Sequence, residues 1–195
     1  MRKWLVLALL MIVAGGAAAY YLEIGVSAQT KRARYVTKAK TYLSANKINE
    51  AVIEYKNALK VDPAHAETHF ELALLLVKKG DVKNAYKELV RATDLDPKLT
   101  TARYQLAVMN LMAKDIRRAK EDLAKLQQQD KDGYETHYLA GQIAAFEKQP
   151  DSAIEELRAA QKNEPVKGRT LVDIGRVQVS KRDFKAAEKS FREAI

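Results

Sequence analysis

The side chains best suited to acid–base or metal chemistry near neutral pH are three histidines, His65, His69 and His137. Two of them stand four apart in His65-Ala66-Glu67-Thr68-His69, the spacing of a metal-binding pair on one helix face. A zinc-protease helix places glutamate directly after its first histidine, and here Glu67 comes one place late. The chain has no cysteine, which excludes disulfides, a thiol nucleophile, thiolate metal sites and a lipid-modified N-terminal cysteine. No glycine-rich phosphate loop occurs, since Gly15-Gly16 lies inside an apolar run. The carboxylates are scattered without a pairing signal. These residues predict no enzyme, no metal and no cofactor, so function must lie in surfaces.

The elements that build those surfaces repeat. With a 34-residue frame opening at Arg32, the copies run over 32–65, 66–99, 100–133, 134–167 and 168–195, the last incomplete. Position 8 is Ala39, Ala73, Ala107, Gly141 and Gly175; position 20 is Ala51, Ala85, Ala119, Ala153 and Ala187. Position 27 is Ala58, Ala92, Leu126, Ala160 and Ala194, so one bulky residue interrupts the set. Small residues at fixed places let two helices cross closely. Larger ones beside them, such as Leu72, Leu106, Leu139 and Ile174 before the crossing and Tyr55, Leu89, Leu123, Leu157 and Phe191 at position 24, fill the remaining space. A single hairpin is too small to bury its own core and must stack on the next.

The breaks keep the same register. Pro63, Pro97 and Pro165 at position 32 end the second helix of a copy; the third copy has Lys131-Asp132-Gly133, where glycine is the expected stop. The turn inside each hairpin falls at positions 15 and 16, as Asn46-Lys47, Gly80-Asp81, Lys114-Asp115 and Arg182-Asp183. Glycine and asparagine tolerate the left-handed backbone, and aspartate caps the helix that follows. Pro150 is expected to open a helix at its first turn.

On these residues the chain resembles the tetratricopeptide-repeat family, whose pattern has an aromatic at 4, Leu-Gly at 7 and 8, tyrosine at 11, alanine at 20 and 27, an aromatic at 24 and proline at 32. Tyr35, Tyr42, Leu72, Gly141, Gly175 and Phe191 match it beside the alanines and prolines above; His69, Arg103 and His137 at position 4 and Asn110 at position 11 depart from it. His69 and His137 are therefore expected to be packing residues, with His65 in an inter-repeat turn. The resemblance covers residues 32–195 and implies an all-α right-handed superhelix with a concave groove, a non-catalytic scaffold for proteins or peptides.

The resemblance also assigns groove positions. Position 5 is Val36, Phe70, Tyr104, Tyr138 and Val172, and position 9 is Lys40, Leu74, Val108, Gln142 and Arg176. Position 12 is Leu43, Val77, Leu111, Ala145 and Val179. Lysine at 5 and asparagine at 9, which the chaperone-tail-binding branch uses to clamp a carboxylate, are absent. Phe70, Tyr104 and Tyr138 are expected either to form a ladder for an extended peptide or amphipathic helix or to be buried against neighbouring repeats.

Residues 1–31 are different material. Met1-Arg2-Lys3 precedes an uncharged run from Trp4 to Leu22, close to the roughly 20 residues a spanning helix needs. It reads as a hydrophobic membrane-anchoring helix, with a cleaved signal peptide as the other reading through Ala17-x-Ala19 or Val26-Ser27-Ala28. Arg2 and Lys3 favour repeats outside the cytoplasm; Lys31, Arg32, Arg34, Lys38 and Lys40 argue for a cytoplasmic face. The net charge of +9 concentrates in the first and last copies, without the sustained basic, aromatic-studded face of a nucleic-acid binder. The expected role is thus a membrane-anchored adaptor in envelope assembly, export, or polysaccharide or pilus biogenesis, holding protein or peptide ligands and no small-molecule substrate. Exopolysaccharide-associated (PEP-CTERM) repeat proteins are similar in kind, although the lipid-bearing cysteine typical of them is missing. Ile195 falls inside a helix at position 28, which suggests a longer array or, alternatively, a structural module that self-associates through an uncapped last repeat.

Overall fold

A computed structural model describes residues 27–164 and 168–195, and they are helical throughout. The ten helices among the described residues are α1 Ala28–Ser44, α2 Ile48–Val61, α3 Ala66–Lys78, α4 Val82–Leu95, α5 Thr100–Met112, α6 Ile116–Gln129, α7 Tyr134–Phe146, α8 Pro150–Gln161, α9 Arg169–Ser180 and α10 Phe184–Glu193. They pair as A and B helices, α1 with α2 through α9 with α10, and each B helix packs on the next A helix. In the middle of the stack α5 also touches α7, so consecutive A helices line a common side. This is the solenoid the spacing predicts.

The crossing points explain the small residues. Ala39, Ala51, Ala58, Ala73, Ala85, Ala92, Ala107, Ala119, Ala153 and Ala160 are all fully buried. Two crossings are tighter still: a Cβ on Gly141 would stand 2.8 Å from Leu157 Cγ, and one on Gly175 would stand 2.5 Å from the Phe191 ring. Leu126, the one large residue at position 27, is itself fully buried while Leu123 at position 24 is only half-buried, so the third hairpin fills its space from the other position.

The turns follow one geometry. Position 15 holds a positive φ in every hairpin: Asn46 57°, Gly80 78°, Lys114 62°, Lys148 60° and Arg182 63°. Each closes two backbone bonds, for example Gly80 N–H to Val77 O and Asp81 N–H to Leu76 O, the paired closure that satisfies carbonyls at a helix C-terminus. The next residue then caps the B helix, with Asp81, Asp115 and Asp183 accepting from the amides of Asn84, Arg118 and Ala186. Pro150 occupies the first turn of α8, as its missing N–H allows.

Three expectations are corrected. The third B helix stops at Gln129 with Asp130 as its C-cap, and Gly133 instead caps the start of α7 in extended backbone, φ −71°. The shared stop signal is the acid at position 31: Asp62 and Asp96 bend the chain by accepting from Ala64 N–H and Lys98 N–H. The first A helix begins at Ala28, ahead of the frame, because the Ser27 hydroxyl caps it through Thr30 N–H at 3.2 Å. Membrane anchoring, with repeats displayed outside the cytoplasm, is also corrected: among the described residues no helix is long and apolar enough to cross a membrane. The run 4–22 that prompted it, and Pro165, lie outside the described residues.

Candidate functional site

The side of each A helix left open by its B helix carries the expected groove residues, and they gather at its two ends. Val36 and Lys40 on α1 line a depression of about 310 Å³ with Arg32, Thr37, His65 and Glu71. Lys40 Nζ pairs with Glu71 at 3.1 Å across it. Tyr138 and Gln142 on α7 meet Val172 and Arg176 on α9 around a second depression of about 330 Å³, with Arg169 and Asp173. Arg176 donates to Asp173 at 3.0 Å. Phe70, Leu74, Tyr104 and Val108 lie between and line neither hollow.

The position-5 aromatics do not present their faces to solvent. Tyr104 is 6% exposed and Tyr138 1%, and Phe70 is half-buried against the core of Leu89 and Leu106. The two tyrosine rings meet at 6.1 Å between centroids, Tyr134 stacks on Tyr138 at 5.1 Å, and the Arg169 guanidinium lies 5.1 Å over the Tyr138 ring. Tyr104 OH donates to Gln142 Oε1 at 3.5 Å, and Tyr138 OH donates to Asp173 Oδ2. Burial pushes both phenols well above the usual tyrosine range, with the Asp173 carboxylate adding to the effect at Tyr138. This cluster joins three hairpins. The exposed apolar surface lies further along the A helices, where Leu74, Val77, Met112, Phe146 and Val179 are between 39% and 80% exposed.

The departures at position 4 turn out to be one device used three times. His69 Nδ1 bonds Glu88 at 2.6 Å, Arg103 pairs with Asp122 at 3.4 Å, and His137 Nδ1 bonds Glu156 at 2.8 Å. Each acid is at position 23 of the same hairpin. His69 Nε2 and Arg103 Nη2 also reach the carbonyls of Pro63 and Pro97 in the preceding turn. Position 4 therefore straps its B helix to the turn before it, a polar role where the sequence suggested packing. The signal was the acid recurring as Glu54, Glu88, Asp122 and Glu156. In the third hairpin Asn110 Nδ2 donates to Asp122 at 3.1 Å. Burial raises the Asp122 carboxyl more than Arg103 and Asn110 draw it down.

Both ring nitrogens of His69 face acceptors, an arrangement that favours the doubly protonated ring, in which both can donate. Burial alone would lower its pKa, but the Glu88 hydrogen bond, the Pro63 carbonyl and the Glu88 charge together raise it. His65 is a helix cap whose Nδ1 accepts from Thr68 N–H at 3.2 Å. Among the described residues no three His, Asp or Glu side chains converge on a metal position.

Comparisons with known proteins agree with this geometry. A family model described as TPR repeat matches residues 39–80, and another described as tetratricopeptide repeat matches residues 66–99. A curated relative, the tetratricopeptide repeat and J domain-containing co-chaperone DNJ1 of Cryptococcus neoformans var. grubii, is 33% identical over 60 residues, 31% of this chain. The chain spans about 12% of the length of that relative. Among solved structures, MamA from Desulfovibrio magneticus RS-1 shares 21% identity at a TM-score of 0.66, covering 84% of this chain and 93% of that one. PilF of Pseudomonas aeruginosa aligns at 0.70 with 16% identity, over 86% and 78% of the two chains. A thermophilic TPR protein of Thermus thermophilus, TTC0263, aligns at 0.72 with 16% identity, over 84% and 89%. These likenesses establish the fold, and the two family models identify tetratricopeptide repeats over residues 39–99 of the chain.

Proposed function

We propose that this protein is a non-catalytic adaptor that holds a protein ligand, a peptide or a helix, against the open side of its A helices. The observation that carries the reading is the row of solvent-exposed apolar side chains on that side, Leu74, Val77, Met112, Phe146 and Val179. Exposed apolar surface gathered in one place on a repeat protein marks an interaction site. The hollows that hold Lys40 at one end and Gln142 and Arg176 at the other supply polar anchors for the ligand's ends. A photo-crosslinking residue at position 74 or 142 of the full chain, expressed in its own cell, should trap the same partner. The same residue at position 53, on a B helix, should not. Equal trapping at all three places would refute the reading.

A second reading has its own observation. Phe184 is 65% exposed beside Val179 and Phe191 on the last hairpin, a surface suited to joining two copies. Sedimentation velocity of the full chain would then show a concentration-dependent dimer that Phe184→Asp abolishes; a monomer at every concentration removes this reading.

A further inference from the structure

The open face is not uniform across its width, and its asymmetry describes the partner. Among the described residues, five of the nine exposed large apolar side chains sit at positions 9, 12 and 13 of A helices, three and four residues apart and so on one helix face. The row lies beside the A–B turns. Those turns carry Lys78, Lys79, Lys114 and Lys148, all exposed and without an ion pair among the described residues. The carboxylates of the same turns, Asp81, Asp115, Glu147 and Asp183, are outnumbered there by lysine and arginine. The Asp81, Asp115 and Asp183 carboxylates accept from the amides of Asn84, Arg118 and Ala186 and so are turned toward their own helix N-termini. The opposite edge, formed by the B–A turns, leans the other way, with Asp62, Asp96, Asp130, Asp132 and Glu164 outnumbering Lys98, Lys131 and Lys162. A ligand on the apolar row therefore meets a net positive flank on one side and a net negative one on the other.

We propose that the occupant of this row is an amphipathic helix of a partner protein, with an apolar stripe against Leu74, Val77, Met112, Phe146 and Val179 and with carboxylates on the flank facing the A–B turns. This rests on the adaptor reading above and specifies its ligand. Length supports a helix. From Val77 to Val179 there are three steps between neighbouring A helices, each roughly 8–10 Å, or about 24–30 Å in all. At 1.5 Å per residue that is matched by a helix of about 16–20 residues. Charge complementarity selects the acidic flank. The position-5 tyrosines, being buried, offer an extended peptide no stacking surface.

The test uses two labelled 20-residue helical peptides that share a leucine stripe. One is flanked by glutamate; in the other every glutamate is replaced by lysine. Fluorescence anisotropy with the full chain should show the glutamate peptide binding at least 10-fold more tightly, with the advantage shrinking in 0.5 M salt. Lys114→Glu with Lys148→Glu should reverse the preference, and Lys78→Glu with Lys79→Glu should weaken it in the same direction; circular dichroism confirms that each variant is folded. Met112→Glu, at a site 80% exposed, should weaken both peptides. Equal binding of the two peptides, lost together in Leu74→Glu, would overturn the acidic-helix inference and leave the adaptor reading intact. Absence of binding by either peptide overturns the inference as well. The adaptor reading is then judged by the crosslinks from positions 74, 142 and 53, which need no chosen peptide.

Discussion

Replacing Lys148 by glycine should stabilise the protein, although it removes a side chain and adds no contact. Lys148 sits at φ 60°, as Lys114 and Arg182 sit at 62° and 63°. Holding an L-residue in that left-handed region costs about 1–2 kcal/mol, a cost glycine escapes. Glycine brings its own penalty, about 0.5–1 kcal/mol of extra chain entropy lost on folding. The balance predicts about 0.5–1 kcal/mol of stabilisation for each of the three replacements. The turns share no hydrogen bonds, so the triple variant should gain about 2 kcal/mol by simple addition. Gly80 supplies the converse. A Cβ there would meet nothing within 4 Å, so the loss of about 1 kcal/mol expected for Gly80→Ala is conformational alone. Ala113, one residue before Lys114 and at φ −77°, is the control, and its change to glycine should destabilise by about 0.5–1 kcal/mol. Urea unfolding followed by circular dichroism reads all of these as shifts in midpoint. If Lys148→Gly moves the midpoint in the same direction as Ala113→Gly, the turn argument is wrong.

Three further outcomes follow from the packing. Gly175→Ala drives a methyl into the Phe191 ring and should cost about 1–3 kcal/mol, with Phe191→Leu as a second change restoring most of it in thermal melts. Asp122→Ala leaves Arg103 buried without its counter-charge and should cost about 3 kcal/mol, whereas Arg103→Met combined with Asp122→Leu should lose far less; similar losses in both would refute the strap. The raised pKa of His69 fixes a sign: the folded state binds this proton more tightly than the unfolded one, so its contribution is full below the unfolded value of about 6.5 and fades as pH rises through the folded pKa. The urea midpoint should therefore fall as pH is raised through and above neutrality, and Glu88→Gln should flatten that fall; an unchanged slope in Glu88→Gln would contradict the assignment.

How far the sequence could be read depended on whether a residue's job was local. Ala51 or Ala153 is small because two backbones cross there, and that requirement repeats in every copy, so the solenoid was legible from spacing alone. Asp81 and Asp115 were legible as caps because capping involves only the next turn. Lys114 and Lys148 were not legible as left-handed residues, because the paired closure of the turn imposes that φ against their own preference. Gly133 was misread as a stop because Asp130, three residues earlier, already ends α6. His69, Arg103 and His137 looked like imperfect aromatics; their partners are 19 residues away, and only a comparison of position 23 across copies would have paired them. Tyr104 and Tyr138 belong to the right helix face, but their burial depends on how the next hairpin sits, which periodicity does not encode. The apolar N-terminal run suggested an anchor on composition alone, and no helix among the described residues is long and apolar enough to serve as one.

The central claim is that ligands are held on the open side of the A helices, along the row from Leu74 to Val179. A methyl NMR titration of the full chain with the glutamate-flanked helical peptide addresses it residue by residue. Progressive shifts are expected for the methyls of Leu74, Val77, Met112 and Val179, with Ile53 on a B helix unmoved. Shifts centred on Ile53, or spread evenly over both sides of the solenoid, would contradict it.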